Sequence, residues 1–106
     1  MNPAIGRALW QALHSYAWLY PIAPSAEDQE AARAWLAEFA RTVRAVSAGN
    51  CSCSSEWERL LRKCPPSLSS GPDFFWWTVA AHDAINHRLG RPLHAPDRIL
   101  HHTLLP

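Results

Sequence analysis

The chain has 106 residues, of which 48% are hydrophobic, and a formal net charge of +1 at pH 7. This length allows one compact domain with a single apolar core, so we predict one domain over residues 1–106. Positive and negative charges are interspersed along the chain, which argues against a nucleic-acid partner. The sequence shows neither a long apolar run nor a leader pattern, which predicts a soluble chain without a membrane partner. Its compartment is left open.

Two amphipathic helices are predicted in the first half of the chain. The first runs from Ile5 to Leu19, and Pro21 ends its pattern of three- and four-residue steps. Its apolar positions are Ile5, Leu9, Ala12, Leu13, Tyr16 and Tyr20. The second helix follows a capping-box pattern of Ser25 with Asp28 and ends near Gly49. Its apolar stripe consists of Ala32, Trp35, Leu36, Phe39, Val43 and Val46.

Two more helices and a short fifth one are predicted in the second half. The third helix ends at Pro65, and the fourth ends before Gly90, with Ser67 to Gly71 as the loop between them. The third stripe contains Trp57, Leu60, Leu61 and Cys64, and the fourth contains Phe74, Trp77, Thr78, Ala81, Ile85 and Leu89. No strand pattern occurs, so we predict an all-α four-helix bundle with a short fifth helix.

Cys51 and Cys53 stand close together where the third helix is predicted to begin. Cys53 precedes Trp57 by four residues, so its sulfur should face the bundle interior, where the helix dipole stabilises a thiolate. Cys51 must lie in the preceding turn, nearer to solvent, if the two sulfurs are to meet. A continuous helix separates Cys53 from Cys64 by roughly 16 Å, beyond the disulfide limit of about 7 Å, which excludes that pairing.

The cysteines have other interpretations. Free cysteines are often small core residues, which is how we interpret Cys64, and the close pair alone leaves core filling and redox chemistry both open. A metal site would need histidine ligands in addition to the pair. The histidines that follow lack the paired spacing of a zinc site; they are His82, His87, His94, His101 and His102.

Two polar pairs lie beside the apolar stripes. Trp10 and His14 are four residues apart on the first helix, and His82 and Asn86 are four apart on the fourth. Such a lining suits a planar ligand with apolar faces and hydrogen-bonding edges. A flavin fits that description.

Three ordered motifs span most of the chain. They are Trp10-x-x-Leu13-His14 followed by Tyr20-Pro21, then the close cysteine pair, then His82-Asp83-x-x-Asn86-x-x-Leu89-Gly90-Arg91-Pro92. This order resembles the flavin-linked sulfhydryl oxidases of the Erv/ALR family. In that family the motifs read Trp-x-x-Leu-His with Tyr-Pro, Cys-x-x-Cys, and His-Asn-x-x-Asn-x-x-Leu-Gly-Lys-Pro.

The resemblance implies a helical bundle that holds FAD non-covalently at its mouth, with the flavin ring against the cysteine pair. The residues that it assigns to the cofactor are Arg7, Trp10, His14, His82, Asp83, Asn86, Arg88 and Arg91. Cys51 would exchange with the thiols of a protein or small dithiol substrate, and Cys53 would pass electrons to the flavin. The implied enzyme is a homodimeric FAD-dependent thiol oxidase that pairs through its first helices and reduces molecular oxygen to hydrogen peroxide.

Two departures from the family pattern bear on the chemistry. One residue separates the cysteines here, where the family has two, and the smaller ring predicts a more oxidising disulfide. Asp83 replaces an asparagine, which removes a donor and adds a charge beside the flavin edge. The alternative function is a non-catalytic helical interaction module in which Cys51 and Cys53 hold a soft metal.

Overall fold

The computed structural model describes residues 3–47, 52–88 and 90. The helices in this part are α1 (Pro3–Leu19), α2 (Ala26–Val46), α3 (Ser52–Lys63) and α4 (Gly71–Arg88), and these residues include no strand. The predicted all-α class and its four main helices are therefore confirmed. The predicted short fifth helix, together with Leu89, lies outside the described residues.

The ends of the helices follow from local chemistry. The hydroxyl of Ser25 accepts a hydrogen bond from the Asp28 amide at 3.0 Å, and the Asp28 carboxylate accepts one from the Ser25 amide at 2.9 Å. Helix α2 ends at Val46, three residues before the predicted end. Helix α4 begins at Gly71, which the sequence had placed in the preceding loop. The helix starts there because the Ser70 hydroxyl accepts a hydrogen bond from the Asp73 amide at 3.2 Å and so caps its N-terminus.

The four helices enclose one apolar core. Helices α1 and α4 pack together along much of their length, and α3 packs against both α2 and α4. The buried apolar residues are Leu13, Ala17, Tyr20, Ala32, Leu36, Phe39, Val43, Trp57, Phe74, Phe75, Val79, Ala81 and Ile85. Among the described helices, none combines the length and the apolar character that crossing a membrane requires.

Four predicted core positions are at the surface instead, and they are Ile5, Ala12, Val46 and Cys64. Cys64 is an exposed free cysteine, because α3 ends at Lys63 and the side chain no longer follows the helical stripe. Ile5 and Ala12 on α1 are also exposed, because they lie on the edge of the apolar stripe that faces away from α4. The continuity of α3 from Ser52 to Lys63 agrees with the argument against a disulfide between Cys53 and Cys64.

Gly71 marks a close approach between the start of α4 and the end of α1. A Cβ at this position would lie 2.6 Å from the Tyr20 carbonyl oxygen and 3.0 Å from the Pro21 carbonyl oxygen. The Tyr20 hydroxyl donates to the Leu68 carbonyl at 2.9 Å, which ties the preceding loop to the same corner. Desolvation by burial raises the pKa of the Tyr20 phenol. Because a Cβ at position 71 would collide with the two carbonyl oxygens, a residue without a side chain is required where the two backbones meet.

Gly71→Ala should destabilise the protein, by about 1–3 kcal/mol, because the new methyl group meets backbone atoms that cannot rotate away. Chemical denaturation followed by circular dichroism measures the free energy of unfolding. Ala80→Gly, at an exposed position of α4, is the control and should cost about 1 kcal/mol through helix propensity alone. A Gly71→Ala protein as stable as the parent would show that the corner is loosely packed.

Candidate functional site

Two histidines from distant parts of the chain meet between α1 and α4. His14 is 2% exposed and His82 is 8% exposed. The Nε2 atom of His14 lies 3.2 Å from Nδ1 of His82, and the Nδ1 atom of His14 lies 2.8 Å from the Thr78 hydroxyl. The packing of α1 against α4 therefore places a buried, hydrogen-bonded polar cluster inside an otherwise apolar interface.

Trp10 covers this cluster with its ring. Its indole stacks on the His82 ring at a centroid distance of 4.0 Å and an interplanar angle of 9°. The edge of Trp57 on α3 meets Trp10 at 5.9 Å and 81°, so the site also includes the third helix. Cys53 lies in the first turn of α3, one helical turn before Trp57, as the sequence predicted for the helix start.

Two polar groups at the site lack a partner within the described residues, and of these the indole N–H of Trp57 is fully buried. Asn86 is 4% exposed and follows His82 by one helical turn, yet its amide makes no hydrogen bond in this part of the chain. The indole N–H of Trp57 has no acceptor there either. Unsatisfied buried polar groups are rare in folded proteins and call for an explanation such as a ligand.

The charged residues assigned to the cofactor are near the ends of the helices. Arg7 is exposed one turn before Trp10, and Asp83 is half-buried beside His82. Arg88 is exposed and forms an ion pair with Glu56 of α3 at 2.8 Å. The structure thus brings Trp10, His14 and His82 into direct contact, whereas Arg7 and Arg88 lie at the surface. Cys51, Arg91 and the Cys53 side chain lie outside the described residues.

Two residues of this cluster were not among those that the sequence motifs assigned to the site. Thr78 and Trp57 were interpreted as members of apolar stripes, and both are indeed buried. A signal was present in each case, because Thr78 precedes His82 by four residues and Trp57 follows Cys53 by four.

A separate open cleft of about 420 Å³ lies between α2 and the loop before α4. Its lining residues are Gln29, Arg33, Leu36, Pro65, Pro66, Ser67, Leu68 and Ser69. This lining has no cysteine, histidine or carboxylate, so we place the candidate chemistry at the histidine cluster instead. No group of three potential metal ligands occurs within the described residues.

Comparison with known proteins gives matches over nearly the whole chain. A model of the Erv1/Alr family matches residues 7–103. An FAD-linked sulfhydryl oxidase of African swine fever virus (isolate Pig/Kenya/KEN-50/1950) is 30% identical over 88 residues, which cover 83% of this chain and 70% of the viral protein. The FAD-linked sulfhydryl oxidase ERV1 of Oryza sativa subsp. japonica is 26% identical over 95 residues. That match covers 90% of this chain but only 46% of the rice protein.

Solved structures show the same fold. The FAD binding domain of Erv1 from Saccharomyces cerevisiae matches with a TM-score of 0.77 and 25% identity, covering 93% of this chain and 90% of that domain. The yeast Erv1 core gives a TM-score of 0.77 at 24% identity, covering 93% of this chain and 80% of the core. The helical arrangement described above is therefore shared with these proteins.

Proposed function

Because this chain belongs to the Erv1/Alr family, as its sequence predicted, we propose that it is an FAD-dependent thiol oxidase. It forms disulfides in protein or small dithiol substrates and reduces molecular oxygen to hydrogen peroxide. The observation that carries this proposal is the contact between residues of two separate motifs, Trp10 and His14 on α1 and His82 on α4. The names of the relatives, which are FAD-linked sulfhydryl oxidases, support the enzyme class and the cofactor.

The residues of the site fit FAD. A flavin has apolar faces and a hydrogen-bonding edge, and the Asn86 amide, unpartnered among the described residues, is suited to such an edge. Trp10 and His82 already touch face to face, which leaves no space for a cofactor ring between them. The residues that would hold the cofactor are Arg7, Trp10, His14, His82, Asp83, Asn86, Arg88 and Arg91.

The two cysteines carry out the exchange with substrate. One substrate thiolate attacks the sulfur of Cys51 in the Cys51–Cys53 disulfide, and Cys53 leaves as a thiolate. The second substrate thiolate then attacks the mixed disulfide and releases Cys51, so the substrate loses two electrons and two protons to the pair. FAD bound at this site would supply the two-electron redox chemistry that returns the pair to its disulfide, with oxygen as the final acceptor.

The surface of α1 supports the proposed homodimer. Ile5, Ala8, Ala12, Ser15 and Leu19 follow alternating three- and four-residue steps, and all of them except the half-buried Ser15 are exposed. Ile5 is 41% exposed and Leu19 is 80% exposed. An apolar stripe with this spacing is typical of a helix that packs against another helix. A second copy of α1 would cover it.

Replacing the outer cysteine tests the exchange chemistry. Cys51→Ser should remain yellow with bound FAD but oxidise dithiothreitol only at the background rate, because the mixed disulfide with substrate cannot form. Visible absorbance and oxygen consumption are the measurements, and Cys64→Ser, at the exposed position after α3, should keep the parental rate. Parental turnover by Cys51→Ser would contradict the assignment.

A parent protein that is colourless and takes up no added FAD would contradict the proposed oxidase activity and favour the non-catalytic interaction module.

Asn86→Leu separates cofactor binding from folding. Without FAD, the substitution should leave the unfolding temperature unchanged or raise it, because no described protein group loses a hydrogen bond. The affinity for FAD should fall about tenfold, the value of one lost hydrogen bond to the ligand. Thermal unfolding of the FAD-free protein and fluorescence titration with FAD measure the two effects. His87→Leu, at the exposed neighbouring position, should change neither. A loss of stability without a loss of affinity would refute the assignment of Asn86.

Ala12→Arg should convert the dimer into a monomer, because it places a charge in the centre of the exposed α1 stripe. Light scattering after size-exclusion chromatography gives the mass of the assembly. Ala34→Arg, at an exposed position of α2, is the matched control and should stay dimeric. If Ala12→Arg also remains a dimer, the subunits do not meet through α1.

A further inference from the structure

The hydroxyl of Thr78 determines the direction of the hydrogen bonds in the histidine cluster. This residue is fully buried, and its hydroxyl donates to the Phe75 carbonyl at 2.6 Å. A hydroxyl has one hydrogen and two lone pairs, and a carbonyl oxygen has no hydrogen to give. The 2.8 Å contact between Thr78 and Nδ1 of His14 is therefore a bond in which His14 donates. It follows that His14 carries a proton on Nδ1.

The same constraint passes from His14 to His82. A neutral His14 with its proton on Nδ1 has a lone pair on Nε2, which lies 3.2 Å from Nδ1 of His82. The bond then requires a proton on Nδ1 of His82, and a neutral His82 has its lone pair on Nε2. The two rings cannot both be imidazolium, because two N–H groups would then face each other.

We propose that Thr78 is a positioning residue that fixes the tautomers of both His14 and His82. The ring of His82 is oriented by its stacking on Trp10, and its acceptor atom is chosen by the chain of bonds that begins at Thr78. The Thr78 hydroxyl thus sets which nitrogen of each ring carries the proton where the two rings meet.

The tautomers are measurable by nuclear magnetic resonance. In protein labelled with ¹⁵N at histidine, long-range ¹H–¹⁵N spectra distinguish a protonated ring nitrogen from one with a lone pair. For the neutral parent protein we expect Nδ1 to be the protonated nitrogen in both His14 and His82. Protonation of His14 at Nε2 alone would overturn the proposal, and this outcome needs no variant.

Variants at position 78 test the role of the hydroxyl. Thr78→Val keeps the shape but removes the acceptor, so the His14 proton should move to Nε2 and donate to His82, whose proton then moves to its own Nε2. Thr78→Ser keeps the hydroxyl and should retain the parental tautomers. Unchanged tautomers in a folded Thr78→Val protein would overturn the proposal. If Thr78→Val does not fold, the same spectra of Thr78→Ala take its place, with the same expected and contradicting results. Since these spectra do not depend on FAD or on turnover, the inference and the proposed function can fail separately.

Discussion

The bonds between α1 and α4 at His14 and His82 are the constraint on which the candidate site depends. These residues are 68 positions apart in the chain and are buried in an apolar interface. Burial of a polar ring is unfavourable unless its nitrogen atoms find partners, each unmet group costing about 1–3 kcal/mol. The His14 nitrogens find theirs only when α4 presents Thr78 and His82 together. The cluster therefore selects one register of α4 against α1, which apolar packing alone specifies less strictly.

Ring packing connects the third helix to this register. Trp57 meets Trp10 on α1 at 5.9 Å and Phe39 on α2 at 5.2 Å, both edge to face. Because Trp57 lies one turn after Cys53, the contacts that hold its ring also position the first turn of α3 relative to the histidine cluster. The ion pair between Arg88 and Glu56 joins the same end of α3 to α4, but its side chains are partly exposed and contribute at most about 1 kcal/mol.

The sequence was sufficient to predict most of the fold, because helical periodicity reports burial directly. It predicted four helices and the capping box at Ser25, and it assigned Trp10 and His14 of the first helix and His82 of the fourth to one site. It failed at Cys64, because the apolar periodicity of the third helix extends to this residue in the sequence. The helix itself ends at Lys63, shortly before Pro65, so Cys64 no longer lies on its buried face. It also missed the polar role of Thr78. Periodicity identifies a buried position, but the partner of a buried hydroxyl depends on which residue a distant helix brings opposite.

The buried polar groups of the bundle fall into two sets with different consequences. His14, Thr78 and His82 satisfy one another, so they stabilise the packing of α1 against α4 whether or not anything is bound. The Trp57 indole N–H is buried without a hydrogen-bond partner in the described chain, which lowers the stability of the folded state by about 1–3 kcal/mol. The Asn86 amide also makes no hydrogen bond among the described residues. A ligand that offers complementary atoms to such a group recovers that free energy on binding. The unsatisfied groups thus favour a polar-edged occupant over an apolar one, and the satisfied cluster holds the rings in place to receive it.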